Sequence, residues 1–198
     1  MAAEYYASFT GLTVELSSIS TENVKEFLRL GFEDATPRLI HHVGRVIANT
    51  GIRTGELARL RVDDVDLIRE RLRIHNRYSS KSGRLIPLRM KTIESLKALH
   101  RWSRRSDFIL GDCAHRLVRK AIVQLKAMAL RNCDNQITLH AFRRNFAIRL
   151  RQSGVPDALT LYCLGNVNWL TVKGGIPLLS GDEPELLALA IDRYVEEL

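Results

Sequence analysis

Cysteine is scarce and poorly placed for either of its structural uses. The chain has three, Cys113, Cys133 and Cys163, an odd number at wide spacing with no CxxC or CxxH pair. That pattern argues against a disulfide framework and against a finger-type zinc site, and the three read as reduced, mostly buried thiols. No run of apolar residues is long enough to span a bilayer, and the opening MAAEYYASF has neither the basic nor the apolar block of a signal peptide. The expectation is a soluble, cytoplasmic chain with no membrane partner. Internal repeats, low-complexity tracts and a carboxylate cluster of the two-metal nuclease kind are also missing, so neither a metal ion nor a cofactor is expected.

What the chain has is positive charge. Its 198 residues, 45% of them hydrophobic, suffice for one sizeable core, and the formal net charge is +8. Such a surplus favours a polyanionic partner, either nucleic acid or an acidic membrane surface. Its location matters more than its total, because displacing counterions takes clustered cations. From Arg101 to Arg151 there are twelve Lys or Arg against three Asp, whereas from Thr171 onward there are two basic residues against six acidic ones. The basic stretch is therefore local.

Residues 1–17 show no clear period and read as an arm or linker; residues 18–198 read as one domain. Ser20 and Glu22 open a helix through Leu30. Leu39, Ile40, Val43, Val46 and Ile47 recur at helical spacing until Thr50-Gly51 supplies a C-cap stop, and a short helix, Thr54 to Leu60, follows. From Leu67 to Leu88 the pattern turns to alternation, RLRIHNRY and RLIPL around SSKSG, predicting a small hairpin with Lys81 at its tip. Lys91–Trp102, Ala114–Leu130, Ala141–Ser153 and Pro156–Leu164 read as helices between Gly, Pro and Asn/Asp breaks. The predicted fold is mainly α with a small antiparallel β-sheet, an α+β domain.

The candidate site grows from motifs that are weak when taken singly. TGIRTGELARL places Arg53 just beyond a helix-capping glycine and Glu56 one turn later, which on its own is a surface ion pair. TLHAFRRNFAIRL puts His140 and Arg143 on the first turns of a helix that Thr138 caps. His42 and Arg45 repeat the HxxR spacing but sit on the apolar-striped helix upstream, where a structural role fits better.

Taken in order, these segments resemble the tyrosine recombinases of the phage-integrase type. TGIRTGELARLRVDDVD is similar to that family's first arginine motif, SSKSGRLIPL to its lysine-bearing hairpin, and TLHAFRRNFAIRL to its HxxR motif. GVPDALTLYCLGN resembles the segment ending LGH, with Asn166 where His or Trp usually stands. The family's tyrosine follows LGH by about nine residues, which here falls on Gly175. The matching string is AIDRYVEEL, which makes Tyr194 the nucleophile after an insertion of roughly nineteen residues with loop-like Gly/Pro composition. Tyr194 as a packed helix residue, or a lost nucleophile, are the open alternatives. Tyr162 precedes LG within a helix and reads as a core aromatic. The resemblance covers residues 18–198, and no separate N-terminal DNA-clamping domain is matched, so the expectation is either a minimal member or a clamp on a removed segment.

The resemblance implies the tyrosine recombinase catalytic-domain fold and site-specific cutting and rejoining of duplex DNA through a covalent 3′-phosphotyrosine. Arg53, Lys81, His140, Arg143 and Tyr194 would be catalytic, with Glu56 and Asn166 in support. The chemistry suits these residue types. Two guanidiniums stay charged and pair with phosphate in a planar fork, an imidazole can assist a tyrosine of ordinary pKa about 10, and a mobile lysine can protonate the departing 5′ oxygen. Such proteins act as tetramers on paired sites, in the nucleoid. Two other readings stand beside this one: a degenerate relative that binds DNA without cutting it, motivated by Asn166 and the displaced tyrosine, and a basic RNA-binding or structural domain.

Overall fold

A computed structural model describes residues 21–33, 39–76, 79–103, 106–131 and 138–166. The expected N-terminal arm, Cys133 and the segment carrying Tyr194 lie outside the described residues.

The organising element is a central helix. Helix α1 (Thr21–Glu33) buries Val24, Phe27 and Leu28, one stripe at three-to-four spacing. It lays that stripe on α2 (Leu39–Thr50), which is buried on almost every side. The reason is its company: α1, α4 (Met90–Trp102), α5 (Ala114–Arg131) and α6 (Leu139–Gln152) all pack around it. Phe142, fully buried on α6, stacks obliquely on Phe27 of α1 with ring centroids 5.3 Å apart, tying these helices into one core. Thr138 caps α6 as its position predicts, its hydroxyl accepting from the Ala141 N–H at 3.0 Å.

Helix α2 stops where expected. Gly51 takes φ +62, and a Cβ there would lie 2.5 Å from Phe146 Cδ1, so both the backbone and the neighbouring ring demand glycine. The chain then turns into α3 (Thr54–Leu57), only one turn long, and through a 3-10 turn at Val62–Asp64 into the sheet.

Three antiparallel strands follow in sequence order: β1 (Val65–Asp66), β2 (Arg71–Asn76) and β3 (Ser79–Pro87). Leu72 pairs with Ile86 and Ile74 with Arg84, so Leu72, Ile74, Ile86 and Leu88 face the core while Arg71 and Arg73 face outward. The hairpin differs from expectation at its end. Asn76 pairs with Ser79, and the register shifts between Ile74 and Asn76. Lys81 therefore belongs to an irregular stretch of β3 instead of the hairpin tip, and its side chain lies outside the described residues. The Ser/Gly content of SSKSG, read as a turn, instead accommodates that irregularity.

Helix α7 (Asp157–Cys163) leaves α6 after a short turn and packs on both α6 and β3. Its end is a Schellman cap. Gly165 has φ +66, its N–H donates to Tyr162 O at 2.7 Å, and the Asn166 N–H donates to Leu161 O at 2.9 Å.

Candidate active site

The α7 cap is where the arginines meet. Its last three carbonyls each accept from a different guanidinium: Cys163 O from Arg84 Nε at 2.8 Å, Leu164 O from Arg143 Nη2 at 2.6 Å, and Gly165 O from Arg53 Nη2 at 3.4 Å. A helix C-terminus presents unpaired carbonyls and the negative end of the backbone dipole, so it is a natural seat for cations. Three come from three separate elements: the α2–α3 junction, β3 and α6.

Arg143 is buried and, among the described residues, hydrogen-bonds to main chain, donating to Gly51 O as well as to Leu164 O. Burial, then repulsion from Arg53, lowers its pKa to about 10, with Glu56 pulling the other way. It remains a cation at neutral pH, but one short of compensation. Arg53 is 43% exposed at its side chain. Its own N–H donates to Glu56 Oε2 at 2.8 Å, its Nη1 to Glu56 Oε1 at 3.1 Å and its Nη2 to Asn166 Oδ1 at 2.8 Å. The Glu56 contact back to the Arg53 N–H also closes the start of α3, which explains why RxxE is spaced as it is.

Arg84 is the residue that sequence reading missed. Its side chain is only 7% exposed, and it grips Glu56 in a two-point fork, Nη1 to Oε1 at 3.0 Å and Nη2 to Oε2 at 2.8 Å. A signal was present: Arg84 shares strand parity with Ile86 and Leu88, so a charge stands on the inward face of β3. Glu56 is thus shared between two arginines. Burial works to raise its pKa, yet hydrogen bonding and charge from Arg84 and Arg53 together hold it below the ordinary carboxylate value.

Gly165 permits this crowding. A Cβ there would come within 2.5 Å of Arg84 Nη1 and 3.1 Å of Arg53 Nη1. Around that glycine the described residues put one carboxylate among three guanidiniums, leaving a surplus of positive charge. Such an arrangement suits an oxyanion with several acceptor oxygens.

His140 lies exposed on the first turn of α6, one turn before Arg143. Partial burial, then the charges of Arg144 and Arg143, lower its pKa, which favours the neutral imidazole. His42 lies elsewhere, on α2, with Nδ1 3.3 Å from Ser95 Oγ of α4, and this agrees with the structural reading. Tyr162 is buried, and its hydroxyl accepts from the Leu85 N–H at 3.3 Å, pinning α7 to β3. Burial raises its pKa. Cys163, fully buried, has its thiol pushed up to about 12.

A mainly helical domain with a small three-stranded antiparallel sheet is the fold of tyrosine recombinase catalytic domains. The chain belongs to the Phage integrase family, whose sequence model matches residues 21–173. Among solved structures, it is similar to the Tn1549 transposon integrase in complex with transposon right end DNA, at 14% identity and a TM-score of 0.61 over 92% of this chain and 67% of that one. XerA recombinase is similar at 17% identity and a TM-score of 0.59, over 91% of this chain and 66% of that one. A lambda integrase tetramer bound to a Holliday junction is similar at 15% identity and a TM-score of 0.53, over 77% of this chain and 47% of that one. This chain therefore spans about two thirds or less of those structures. No curated protein matches the sequence. Among the described residues, no helix is long and apolar enough to cross a membrane.

Proposed function

We propose that this chain is a site-specific DNA strand transferase that cuts and rejoins duplex DNA through a covalent 3′-phosphotyrosine. The observation that carries the reading is the meeting of Arg53 and Arg143 on one helix cap, with Arg53 partly exposed. In this reading the two guanidiniums hold the nonbridging oxygens of the scissile phosphate as phosphorus becomes five-coordinate and its oxygens gain charge. Neutral His140 takes part in removing the proton of the attacking tyrosine, assigned to Tyr194. Lys81, on β3, delivers a proton to the departing 5′ oxygen. The bond from tyrosine oxygen to phosphorus forms as the bond to the 5′ oxygen breaks. A second strand's 5′-hydroxyl reverses the exchange, with no external energy source.

The similar structures in DNA complexes support duplex DNA as partner, and the lambda integrase tetramer supports self-association on paired sites. The test is a duplex nicked close to the cognate cleavage position, so that the cut fragment diffuses away and the adduct accumulates. A denaturation-resistant protein-DNA adduct is expected, and it disappears in Tyr194→Phe. Persistence of the adduct in that variant moves the nucleophile elsewhere.

One observation favours a second reading, a relative that binds DNA without cutting it. Asn166 stands where the family usually has His or Trp, both longer donors, and its oxygen is already engaged by Arg53. A protein that retards DNA in a gel and yields neither adduct nor relaxed plasmid would fit that reading.

A further inference from the structure

We propose that Arg84 is a positioning residue of the phosphate site, which neutralises and orients Glu56 so that Arg53 stays available to an anion. The proposal rests on the strand-transfer reading above and concerns how its phosphate clamp is kept open.

The argument begins with Glu56, the one carboxylate at the cluster among the described residues. A carboxylate beside an arginine ordinarily captures it in a two-point fork, because that geometry satisfies both oxygens. An Arg53 captured in this way would turn its N–H groups inward, and an incoming phosphate would have to displace Glu56. The structure shows the fork given to Arg84 instead, both oxygens being met at 3.0 and 2.8 Å. Arg53 is left one side-chain contact to Oε1 at 3.1 Å and a backbone contact to Oε2 at 2.8 Å.

Arg84 does not itself present to an anion. Its side chain is 7% exposed, and its third donor is taken by Cys163 O at 2.8 Å. Among the described residues its hydrogen bonds go to Glu56 and to the α7 cap. That cap also receives Arg143 and Arg53, so Arg84 fixes both the carboxylate and the carbonyl platform that the other guanidiniums use. Gly165 leaves the space in which this is done, its missing Cβ lying 2.5 Å from Arg84 Nη1. Charge accounting gives the same answer. The Arg84–Glu56 pair sums to zero and leaves the charges of Arg53 and Arg143 for the ligand.

Lysine cannot substitute fully, since a single ammonium cannot span both carboxylate oxygens and a carbonyl. A residue needed only for packing and one needed to restrain Glu56 respond differently to removal of the carboxylate. In the first case Glu56→Gln adds to the damage of an Arg84 variant; in the second it relieves it.

The experiment measures binding of inorganic sulfate by the full chain, from its thermal stabilisation against sodium chloride at matched ionic strength. Wild type is expected to respond. Arg84→Met should weaken sulfate binding roughly tenfold, Arg84→Lys less, and Arg84→Met with Glu56→Gln should recover most of the loss. Should Arg84→Met not fold, Arg84→Lys with and without Glu56→Gln carries the same comparison. Sulfate affinity within twofold of wild type in the single variants, or a double variant no better than the single one, overturns the role of Arg84 and leaves the strand-transfer reading intact. A wild-type protein that ignores sulfate overturns the anion site itself, and Arg84's role with it.

Discussion

Arg53 and Arg143, from opposite halves of the chain, donate to consecutive carbonyls of the same helix cap, Gly165 at 3.4 Å and Leu164 at 2.6 Å. Their separation is therefore set by one peptide unit of α7 and not by the docking of two independent elements. Removing either guanidinium should lower the rate of strand cleavage at saturating protein by about a hundredfold to a thousandfold, the scale for losing a positioned donor at a developing oxyanion. Single-turnover adduct formation by Arg53→Ala and Arg143→Lys, alongside gel-shift affinity, checks this. Affinity should change far less than rate, because most duplex binding comes from other phosphates. A proportionate fall in both would make the arginines ordinary binding residues.

Asn166 joins the same platform through its side-chain oxygen, which leaves its amide N–H groups to donate elsewhere. Asn166→Ala should slow cleavage about tenfold or more, the worth of a hydrogen bond to a charged group. Asn166→His should match or exceed wild type, because imidazole supplies a longer donor that can also carry charge. Rates for the two variants on one nicked duplex decide the matter, and a silent Asn166→Ala removes the residue from the site.

The pH profile of cleavage should carry the mark of His140. Partial burial and the charges of Arg144 and Arg143 lower its pKa below the ordinary 6.5. A base must be unprotonated to act, so activity is lost as pH falls through that lowered value, and the acidic limb lies below 6.5. In Arg144→Ala one repulsive charge is gone, and the limb should move upward toward 6.5. An unmoved limb assigns it to another group.

Folding stability should weaken in acid in two adjacent windows. His42, partly buried between α2 and α4, has its pKa lowered to about 4 from 6.5 by burial and by the charges of Arg45, His41 and Arg101. The unfolded chain therefore binds this proton first, and stability falls as pH drops from about 6.5 to about 4. Discounted for partial solvent access, the loss is about 1–2 kcal/mol. Glu56 has a depressed pKa, so its contribution is present above 4.5 and is lost as pH falls through the folded value. Urea titrations between pH 4 and 7 should show the first slope in wild type and its absence in His42→Gln.

The longer helices are legible from their apolar spacing, although α2 is buried on nearly every side and α3 ends at Leu57, short of the expected Leu60. Val24, Phe27 and Leu28, or Phe142 and Phe146, could belong to nothing else. Arg53 and Glu56 are marked locally only as an ion pair beyond a capping glycine, and the resemblance alone gives Arg53 a catalytic role. Arg84 is hidden in the sequence because alternation marks a strand without saying which of its two faces turns inward. The place of Lys81 is ambiguous in the sequence because Ser and Gly serve turns and strand irregularities alike. The convergence on α7 was invisible for a deeper reason: the acceptors are backbone carbonyls, which every residue possesses, so no letter in the sequence marks them. Tyr194 was reached only through resemblance and lies outside the described residues.

Arg143's anchorage on Gly51 O and Leu164 O has a practical outcome for protein engineering. Main-chain acceptors cannot be mutated away, so no side chain has to be preserved as their counterpart. Substitutions on the outward face of the sheet, at Arg71 or Arg73, leave this anchorage untouched. What must stay fixed is the path of the polypeptide at two glycine-gated bends, so Gly51 and Gly165 should be held constant along with the exposed site residues Arg53, His140 and Asn166.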